Sequence, residues 1–210
     1  MTTIAIADYG IGNRRSVEKA VEKAGATALL TGDGGQIQDA DGLIVPGVGA
    51  FPAAMKALRR LGLDEVIRDF ARDGKPVLGS CLGMQLLFER SAEQGGSEGL
   101  GLLAGEVIAL DAGGLNIPHI GWNDVHWARA DPLVTGLPDG AAFYHVHSYV
   151  PLPSDKDTII GTGDYGGVFA TVVGRGSVVG CQFHPEKSSS HGLALLRNFA
   201  DMCSTNGASN

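Results

Sequence analysis

The sequence predicts an α/β protein whose mostly parallel central sheet is flanked by helices and extended by antiparallel hairpins. In the first half, short apolar runs alternate with segments of helical periodicity, which is typical of a parallel sheet covered on both faces. In the second half, strand-like segments dominate, which favours hairpins added to the core. A chain of 210 residues fits one domain, which we assign to residues 1–203. The small, polar residues 204–210 are expected to form a frayed tail.

The first half supplies three predicted strands and four predicted helices. In the first helix, Val17, Ala20, Val21 and Ala24 share one face, and Gly25 is a typical C-terminal stop. The predicted strands cover residues 3–7, 43–45 and 76–78, and the predicted helices cover residues 16–24, 50–61, 64–72 and 82–88.

The second half reads mainly as β-structure and closes with one helix. Its predicted strands cover residues 106–110, 143–150, 168–173 and 178–183, and the helix covers residues 192–202. Leu195, Leu196 and Phe199 are expected to face the core.

Composition and charge exclude several classes of function. The net charge is -7, and the basic pairs Arg14-Arg15 and Arg59-Arg60 are isolated, so no nucleic-acid partner is expected. The N-terminus lacks a signal-peptide pattern and no apolar run reaches the length of a membrane span, so we expect a cytoplasmic protein without a membrane partner. Three widely spaced cysteines argue against a disulfide framework and a zinc site.

The segment Gly79-Ser80-Cys81-Leu82-Gly83 lies between a predicted strand and a predicted helix. This is the context of a nucleophile elbow, a tight turn that strains its central residue and brings the residues two before and two after it into contact. Glycine suits both of those positions, and glycines flank Cys81 but not Ser80. The pattern therefore selects the Cys81 thiol as nucleophile, the alternative being an ordinary buried cysteine. Backbone N–H groups at the start of the helix would favour the thiolate and hold an oxyanion.

The segment His184-Pro185-Glu186 supplies a base and a group to orient it. Residues two apart on an extended segment point the same way, and Pro185 keeps His184 extended. Glu186 is therefore expected to fix the tautomer of His184 and stabilise its imidazolium form. Cys81, His184 and Glu186 form a complete predicted triad.

The remaining histidines are interpreted as structural. His145 and His147 share one face of a predicted strand, but a metal pair lacks an evident third ligand, so hydrogen-bonded structural histidines are favoured and no metal site is predicted. His119 and His126 flank a predicted turn at residues 121–123, and His191 lies near the start of the last helix. A second oxyanion donor is expected from the glycine-rich loop Pro46-Gly47-Val48-Gly49.

Several of these segments resemble the class I, or triad, glutamine amidotransferases. The cysteine elbow, continuing through Met84-Gln85, and His184-Pro185-Glu186 carry this resemblance. Within that class the chain resembles, over nearly its whole length, the glutaminase subunits of imidazole glycerol phosphate synthases, which act in histidine biosynthesis. The narrower resemblance is carried by Asp8-Tyr9-Gly10-Ile11-Gly12-Asn13, Pro46-Gly47-Val48-Gly49-Ala50-Phe51, Pro118-His119-Ile120-Gly121-Trp122-Asn123, His147-Ser148-Tyr149 and Phe183-His184-Pro185-Glu186-Lys187-Ser188.

The resemblance implies hydrolysis of L-glutamine through a γ-glutamyl thioester on Cys81, without a cofactor. It implies that backbone N–H groups of Leu82 and of the loop at Val48 and Gly49 form the oxyanion hole. That loop is expected to be misoriented until the partner binds its own ligand. The residues expected to bind glutamine are Gly49, Gln85, His147, Ser148 and Tyr149.

The resemblance also implies a heterodimer with a (β/α)8-barrel cyclase, which receives the ammonia. Asn13, Trp122 and Lys187 are expected to face this partner. One departure from the family pattern is Ser80, where an apolar residue is usual. This departure leaves open how the residues beneath the elbow pack.

Three alternative functions remain open on the sequence alone. The triad also suits a glutaminase that serves another synthase, such as those making pyridoxal phosphate or anthranilate. It suits a free-standing cysteine hydrolase of γ-glutamyl compounds. A non-catalytic binding subunit would keep the fold but lose a triad member, and none is lost here.

Overall fold

The computed structural model describes residues 2–206 and contains an α/β fold with two sheets. The helices are α1 (Arg14–Ala24), α2 (Gly34–Gln38), α3 (Phe51–Leu61), α4 (Leu63–Arg72), α5 (Leu82–Leu86) and α6 (Ser189–Asn206). The strands are β1 (Thr3–Ala7), β2 (Thr27–Thr31), β3 (Gly42–Gly47), β4 (Val77–Cys81), β5 (Phe88–Ser91), β6 (Ser97–Glu98), β7 (Leu103–Ala109), β8 (His119–Trp127), β9 (Ala141–His147), β10 (Tyr149–Pro153), β11 (Ile159–Asp164), β12 (Val168–Arg175) and β13 (Val178–Cys181). Across residues 2–206, no helix is both long and apolar enough to cross a membrane.

The larger sheet is half parallel and half antiparallel. Within the described residues its order is β2-β1-β3-β4-β13-β12-β11-β8-β9. The pairs from β2 to β13 are parallel, and every pair from β13 to β9 is antiparallel. The smaller sheet, ordered β10-β7-β5-β6, pairs β7 with β5 in parallel and its outer strands antiparallel. The predicted α/β class, with a parallel core extended by antiparallel strands, is therefore confirmed.

Apolar clusters cover both faces of the parallel strands. Alternate residues of β1 enter different clusters, Ala5 and Ala7 on one face and Ile4 and Ile6 on the other. Side chains of α3 and α4 cover the first face, and those of α1 and α6 cover the second. This two-sided burial explains why the strands read as continuous apolar runs in the sequence.

Several predicted boundaries were wrong. The helix predicted at residues 82–88 ends at Leu86, and Phe88 begins β5, because short apolar runs do not distinguish a helix from a strand. The strand predicted at residues 143–150 is two strands, β9 and β10, which belong to different sheets. The turn predicted at residues 121–123 lies inside β8. The sequence also left β2 and β11 without a predicted strand.

The C-terminal helix is longer than predicted at both ends. It runs over Ser189–Asn206 and so includes residues 204–206, which were expected to be frayed. The remainder of the expected tail, residues 207–210, lies outside the described residues.

Candidate active site

Three neighbouring parallel strands bring the predicted triad and oxyanion loop to one edge of the sheet. In the β3–β4 pair Gly47 lies opposite Cys81, and in the β4–β13 pair Ser80 lies opposite Cys181. The chain segments that follow these strands therefore emerge side by side at the carboxyl edge, where open α/β sheets bind their ligands.

Cys81 has the strained backbone of a nucleophile elbow. It ends β4 and precedes α5 with φ 54° and ψ -115°, which is unusual for a residue with a side chain. A Cβ atom at Gly83 would lie 1.7 Å from the carbonyl oxygen of Val45, and one at Gly79 would lie 2.6 Å from Met84 Cα. The close approach of backbone on both sides explains why glycine occupies both flanking positions.

The side chains of His184 and Glu186 form a buried hydrogen-bonded pair. Nδ1 of His184 lies 3.0 Å from Oε1 of Glu186. The backbone nitrogen of His184 donates to the carbonyl oxygen of Tyr144 over 3.0 Å, and the hydroxyl of Ser188 donates to the carbonyl oxygen of His184 over 2.7 Å. These bonds fix the imidazole at the start of the short 3-10 turn Pro185–Lys187.

The surroundings of His184 favour its imidazolium form. Burial lowers the pKa of His184, but hydrogen bonds and charges from Cys81 and Glu186 outweigh burial and raise this pKa to about 9. With Nδ1 bonded to Glu186, Nε2 is the nitrogen left to interact with the Cys81 thiol. The pair can therefore exchange one proton between sulfur and imidazole.

A cavity of about 310 Å³ opens over Cys81 and His184. Every residue predicted for the oxyanion hole or for glutamine binding contributes to its wall, whereas Glu186 lies behind His184. The predicted residues in the wall are Val48, Gly49, Cys81, Leu82, Gln85, His147, Ser148, Tyr149 and His184.

The loop that carries Val48 is anchored at one end and open at the other. The buried hydroxyl of Tyr9 donates to the carbonyl oxygen of Pro46 over 2.5 Å. Beyond this anchor, Val48 is 41% exposed and Gly49 has φ +89°. A side chain would strain the backbone at Gly49, so glycine permits the loop to turn over the cavity here.

The central histidines form a neutral hydrogen-bonded cluster. His147 Nδ1 lies 3.1 Å from the carbonyl oxygen of Tyr149, and His147 Nε2 lies 2.9 Å from His119 Nδ1. His145 Nε2 lies 2.8 Å from the hydroxyl of Thr171. Burial is the main cause that lowers the pKa values of His145 and His147 to about 3 each. Among the residues described, no group of three or more His, Cys, Asp or Glu side chains could hold a metal ion.

The residues predicted to face a partner are all exposed, and two of them converge. The Trp122 ring lies 6.1 Å from the Tyr144 ring, and Nζ of Lys187 lies 5.9 Å from the centre of the same ring. Lys187 also lines the cavity, so this face borders the candidate active site. Asn13 immediately precedes α1.

Ser80 fills a polar position beneath the elbow. It is 4% exposed and lies opposite Cys181 in the parallel β4–β13 pair, where its hydroxyl interacts with the Cys181 thiol. Burial, helped by nearby negative charge, raises the pKa of the Cys181 thiol, so this cysteine stays protonated and unreactive. The departure from an apolar residue at Ser80 thus has a local partner.

Sequence reasoning missed two polar residues near Cys81. Glu93 contributes a carboxylate to the cavity wall, and its Oε2 accepts a hydrogen bond from the backbone nitrogen of Phe51. Gln182 is fully buried, and its Nε2 lies 4.0 Å from the sulfur of Cys81. The available signal for Gln182 was a polar residue at the end of an apolar strand, two positions before His184.

Comparison with known proteins gives a consistent family. A family model described as glutamine amidotransferase class-I matches residues 5–203. The chain is 49% identical over 202 residues to the imidazole glycerol phosphate synthase subunit HisH of Moorella thermoacetica, covering 96% of each chain. It is 50% identical over 196 residues to the subunit of the same name from Bacillus cereus, covering 93% of each chain.

A solved crystal structure of a glutamine amidotransferase has the same fold. It superposes with a TM-score of 0.73 at 20% identity and covers 96% of this chain and 98% of that chain. The alternatives of another synthase, a free-standing hydrolase and a non-catalytic subunit are not favoured by these relatives. The chain belongs to the class I glutamine amidotransferases and, within them, to the HisH subunits of imidazole glycerol phosphate synthase.

Proposed function

We propose that this chain hydrolyses L-glutamine with Cys81, His184 and Glu186 and passes the ammonia to a (β/α)8-barrel cyclase, with which it forms a heterodimer. The observation that carries this proposal is the convergence of a strained Cys81, a His184 with raised pKa and a buried Glu186 at one cavity. The family assignment supplies the reaction class, and the geometry supports the roles that we propose for these three residues.

In the first half-reaction the sulfur of Cys81 attacks the carboxamide carbon of glutamine. The thiol proton passes to His184, a carbon–sulfur bond forms, and the carbonyl electrons move to oxygen. The backbone N–H groups of Leu82 and of the loop at Val48 and Gly49 are proposed to hold this oxyanion. The carbon–nitrogen bond then breaks as the imidazolium of His184 protonates the nitrogen, so that ammonia leaves and a γ-glutamyl thioester remains.

In the second half-reaction water replaces the sulfur. His184 removes a proton from water while the water oxygen attacks the thioester carbon. The same backbone N–H groups then hold the second oxyanion. The carbon–sulfur bond breaks, the proton returns from His184 to the sulfur of Cys81, and glutamate leaves. Glu186 holds the imidazole of His184 by its Nδ1 throughout.

The cavity walls suit the polar ends of glutamine. The carboxylate of Glu93 lies where it can attract the α-ammonium group, and Gln85 offers an amide at the same wall. The side chains of His147, Ser148 and Tyr149 close another part of the wall. The substrate carboxamide would then point toward Cys81.

The first experiment measures glutamate release by the isolated chain, by the chain with the barrel cyclase, and by the chain with the cyclase and its nucleotide ligand. Cys81→Ala is compared with Cys203→Ala as a control. Cys203 is a buried cysteine on α6 that lies outside the cavity. We expect low activity alone, a large rise in the full mixture, loss in Cys81→Ala and retention in Cys203→Ala.

Two results would contradict the proposal in different ways. Glutamate release that persists in Cys81→Ala would remove the nucleophile assignment. Strong release by the isolated chain, with no response to the cyclase, would leave the chemistry but exclude a partner-gated subunit.

A further inference from the structure

Gln182 occupies a fully buried position between the side chains of Cys81 and Gln85. Its backbone nitrogen donates to the carbonyl oxygen of Thr171 over 2.8 Å, which continues the pairing of β12 with β13 beyond Cys181. Its side chain spans the space from Gln85 on one side to Cys81 on the other. A buried amide in an apolar strand costs free energy unless each of its polar atoms has a partner.

The orientation of the Gln85 amide is fixed by a carbonyl group. Nε2 of Gln85 lies 3.0 Å from the carbonyl oxygen of Tyr149, which can only accept. That oxygen is itself held by Nδ1 of His147 at 3.1 Å. The nitrogen of Gln85, and not its oxygen, must therefore face Tyr149.

The orientation of Gln182 follows from that of Gln85. The same Nε2 of Gln85 lies 3.1 Å from Oε1 of Gln182. A flipped Gln182 would set two NH2 groups against each other, with no acceptor between them. Oε1 of Gln182 therefore accepts from Gln85, and its Nε2 is directed at the sulfur of Cys81, 4.0 Å away.

We propose that Gln182 is a positioning residue for the nucleophile, whose side-chain N–H stabilises the Cys81 sulfur when that sulfur carries negative charge. This inference rests on the proposed function of Cys81. The contact is long at 4.0 Å, and hydrogen bonds strengthen and shorten when the acceptor is ionised. Gln182 is absent from the cavity wall, so its effect reaches the substrate through Cys81.

The test uses two substitutions that treat the donor differently. Gln182→Glu keeps an oxygen to accept from Gln85 but replaces the donor with an oxygen that repels a thiolate. Gln182→Met removes both polar groups at similar size. Gln38→Glu is the matched control, because the Gln38 amide donates to the carbonyl oxygen of Val66, away from the cavity.

The main readout is the pH dependence of Cys81 alkylation by iodoacetamide, followed by peptide mass spectrometry. We expect the midpoint of alkylation to rise by about one pH unit in Gln182→Met and by more in Gln182→Glu, and to stay unchanged in Gln38→Glu. With the cyclase complex, kcat for glutamate release should fall about tenfold in Gln182→Met while KM stays within about twofold.

A purely structural role predicts a different result. It would lower the thermal unfolding temperature, or raise KM, without moving the alkylation midpoint of the folded variants, and that outcome would overturn the inference. If Gln182→Met does not fold, Gln182→Glu gives the answer, because it keeps the bond to Gln85. Alkylation needs no glutamine turnover, so an inactive wild-type chain would overturn the proposed function while this test still decides the role of Gln182.

Discussion

Nδ1 of His184 and Oε1 of Glu186 lie 3.0 Å apart, and their side chains are only 5% and 2% exposed. A carboxylate buried to this degree beside an imidazole selects the tautomer with the proton on Nδ1 and favours the imidazolium form. The pair thus orients His184 toward Cys81 before any substrate binds.

Replacing Glu186 should slow the chemical steps while leaving glutamine binding largely intact. We expect Glu186→Gln to reduce kcat roughly 100-fold, because the imidazolium loses its stabilising charge and the preferred tautomer changes. KM should change little, since Glu186 does not line the cavity. Steady-state glutamate release in the cyclase complex measures both constants. The control is Glu98→Gln, because Glu98 is an exposed carboxylate on β6. A kcat of Glu186→Gln within twofold of wild type would contradict the assignment of Glu186 as the partner of His184.

The raised pKa of His184 predicts a pH-dependent contribution to stability. A histidine whose folded pKa is about 9, against an ordinary value of 6.5, stabilises the fold in its protonated form. This contribution is complete below about pH 6.5 and is lost as the pH rises through about 9. The free energy of unfolding, measured by denaturant titration from pH 6 to pH 10, should therefore fall more steeply for wild type than for His184→Gln. If the free energy of unfolding changed with pH equally in wild type and His184→Gln, the imidazolium of His184 would not be stabilised by its surroundings.

The same measurement in a Cys81→Ala background separates the two causes of the raised pKa. Without the thiol, only the carboxylate of Glu186 still opposes the effect of burial on His184. We therefore compare the free energy of unfolding of Cys81→Ala with that of the double variant Cys81→Ala/His184→Gln. The difference between these two proteins should disappear at a lower pH than the difference between wild type and His184→Gln.

The elbow should tolerate no side chain at Gly83. We expect Gly83→Ala to reduce the free energy of unfolding by about 3 kcal/mol, because its Cβ would lie 1.7 Å from the Val45 carbonyl oxygen and force β3 away from α5. Gly167→Ala is the control, since its nearest contact is an ordinary 3.6 Å to the Asp111 carbonyl oxygen. Urea unfolding measures both, and equal stabilities would mean that the backbones near Gly83 are not so closely packed.

Removing Trp122 should weaken activation by the cyclase and spare the basal reaction. Trp122 is 55% exposed beside Tyr144, an arrangement suited to contact with another protein. We expect the cyclase concentration for half-maximal activation to rise about tenfold in Trp122→Ala, with glutamate release by the isolated chain unchanged. Leu61→Ala, at the end of α3 and 48% exposed, is the control and should behave like wild type. An unchanged activation curve for Trp122→Ala would place the cyclase on a different surface.

The parts of the site that the sequence could predict depend on short-range geometry. The glycines around Cys81 and the two-residue spacing of His184 and Glu186 constrain the backbone locally, and both local arrangements are present in the structure. Their convergence follows from the parallel pairing of β4 with β13. The sequence did not predict that pairing, because residues 178–183 were expected to belong to the added hairpins. The family resemblance and the fold class are confirmed, whereas the roles of the individual site residues stay predictions.

The parts that could not be predicted depend on contacts between distant segments. Gln182 acquires its orientation from Gln85 and Tyr149, which no spacing in the sequence reveals. Residues 121–123 carry a glycine that suggested a turn, but pairing with β9 holds them in an extended strand. The split of residues 143–150 into two strands likewise follows from pairing with β8 on one side and β7 on the other.

The strand order also determines when this site can form during folding. β13 is the last strand in the chain, yet it lies in the middle of the larger sheet, between β4 and β12. Cys81 and Gln182 are 101 residues apart in sequence, and contacts of such separation form slowly because a long loop must first close. Until β13 inserts, β4 has an open edge and Cys81 lacks His184 and Gln182 as neighbours. The surroundings of Cys81 therefore cannot assemble from the first half of the chain alone, because they include a strand that lies about 100 residues further along the chain.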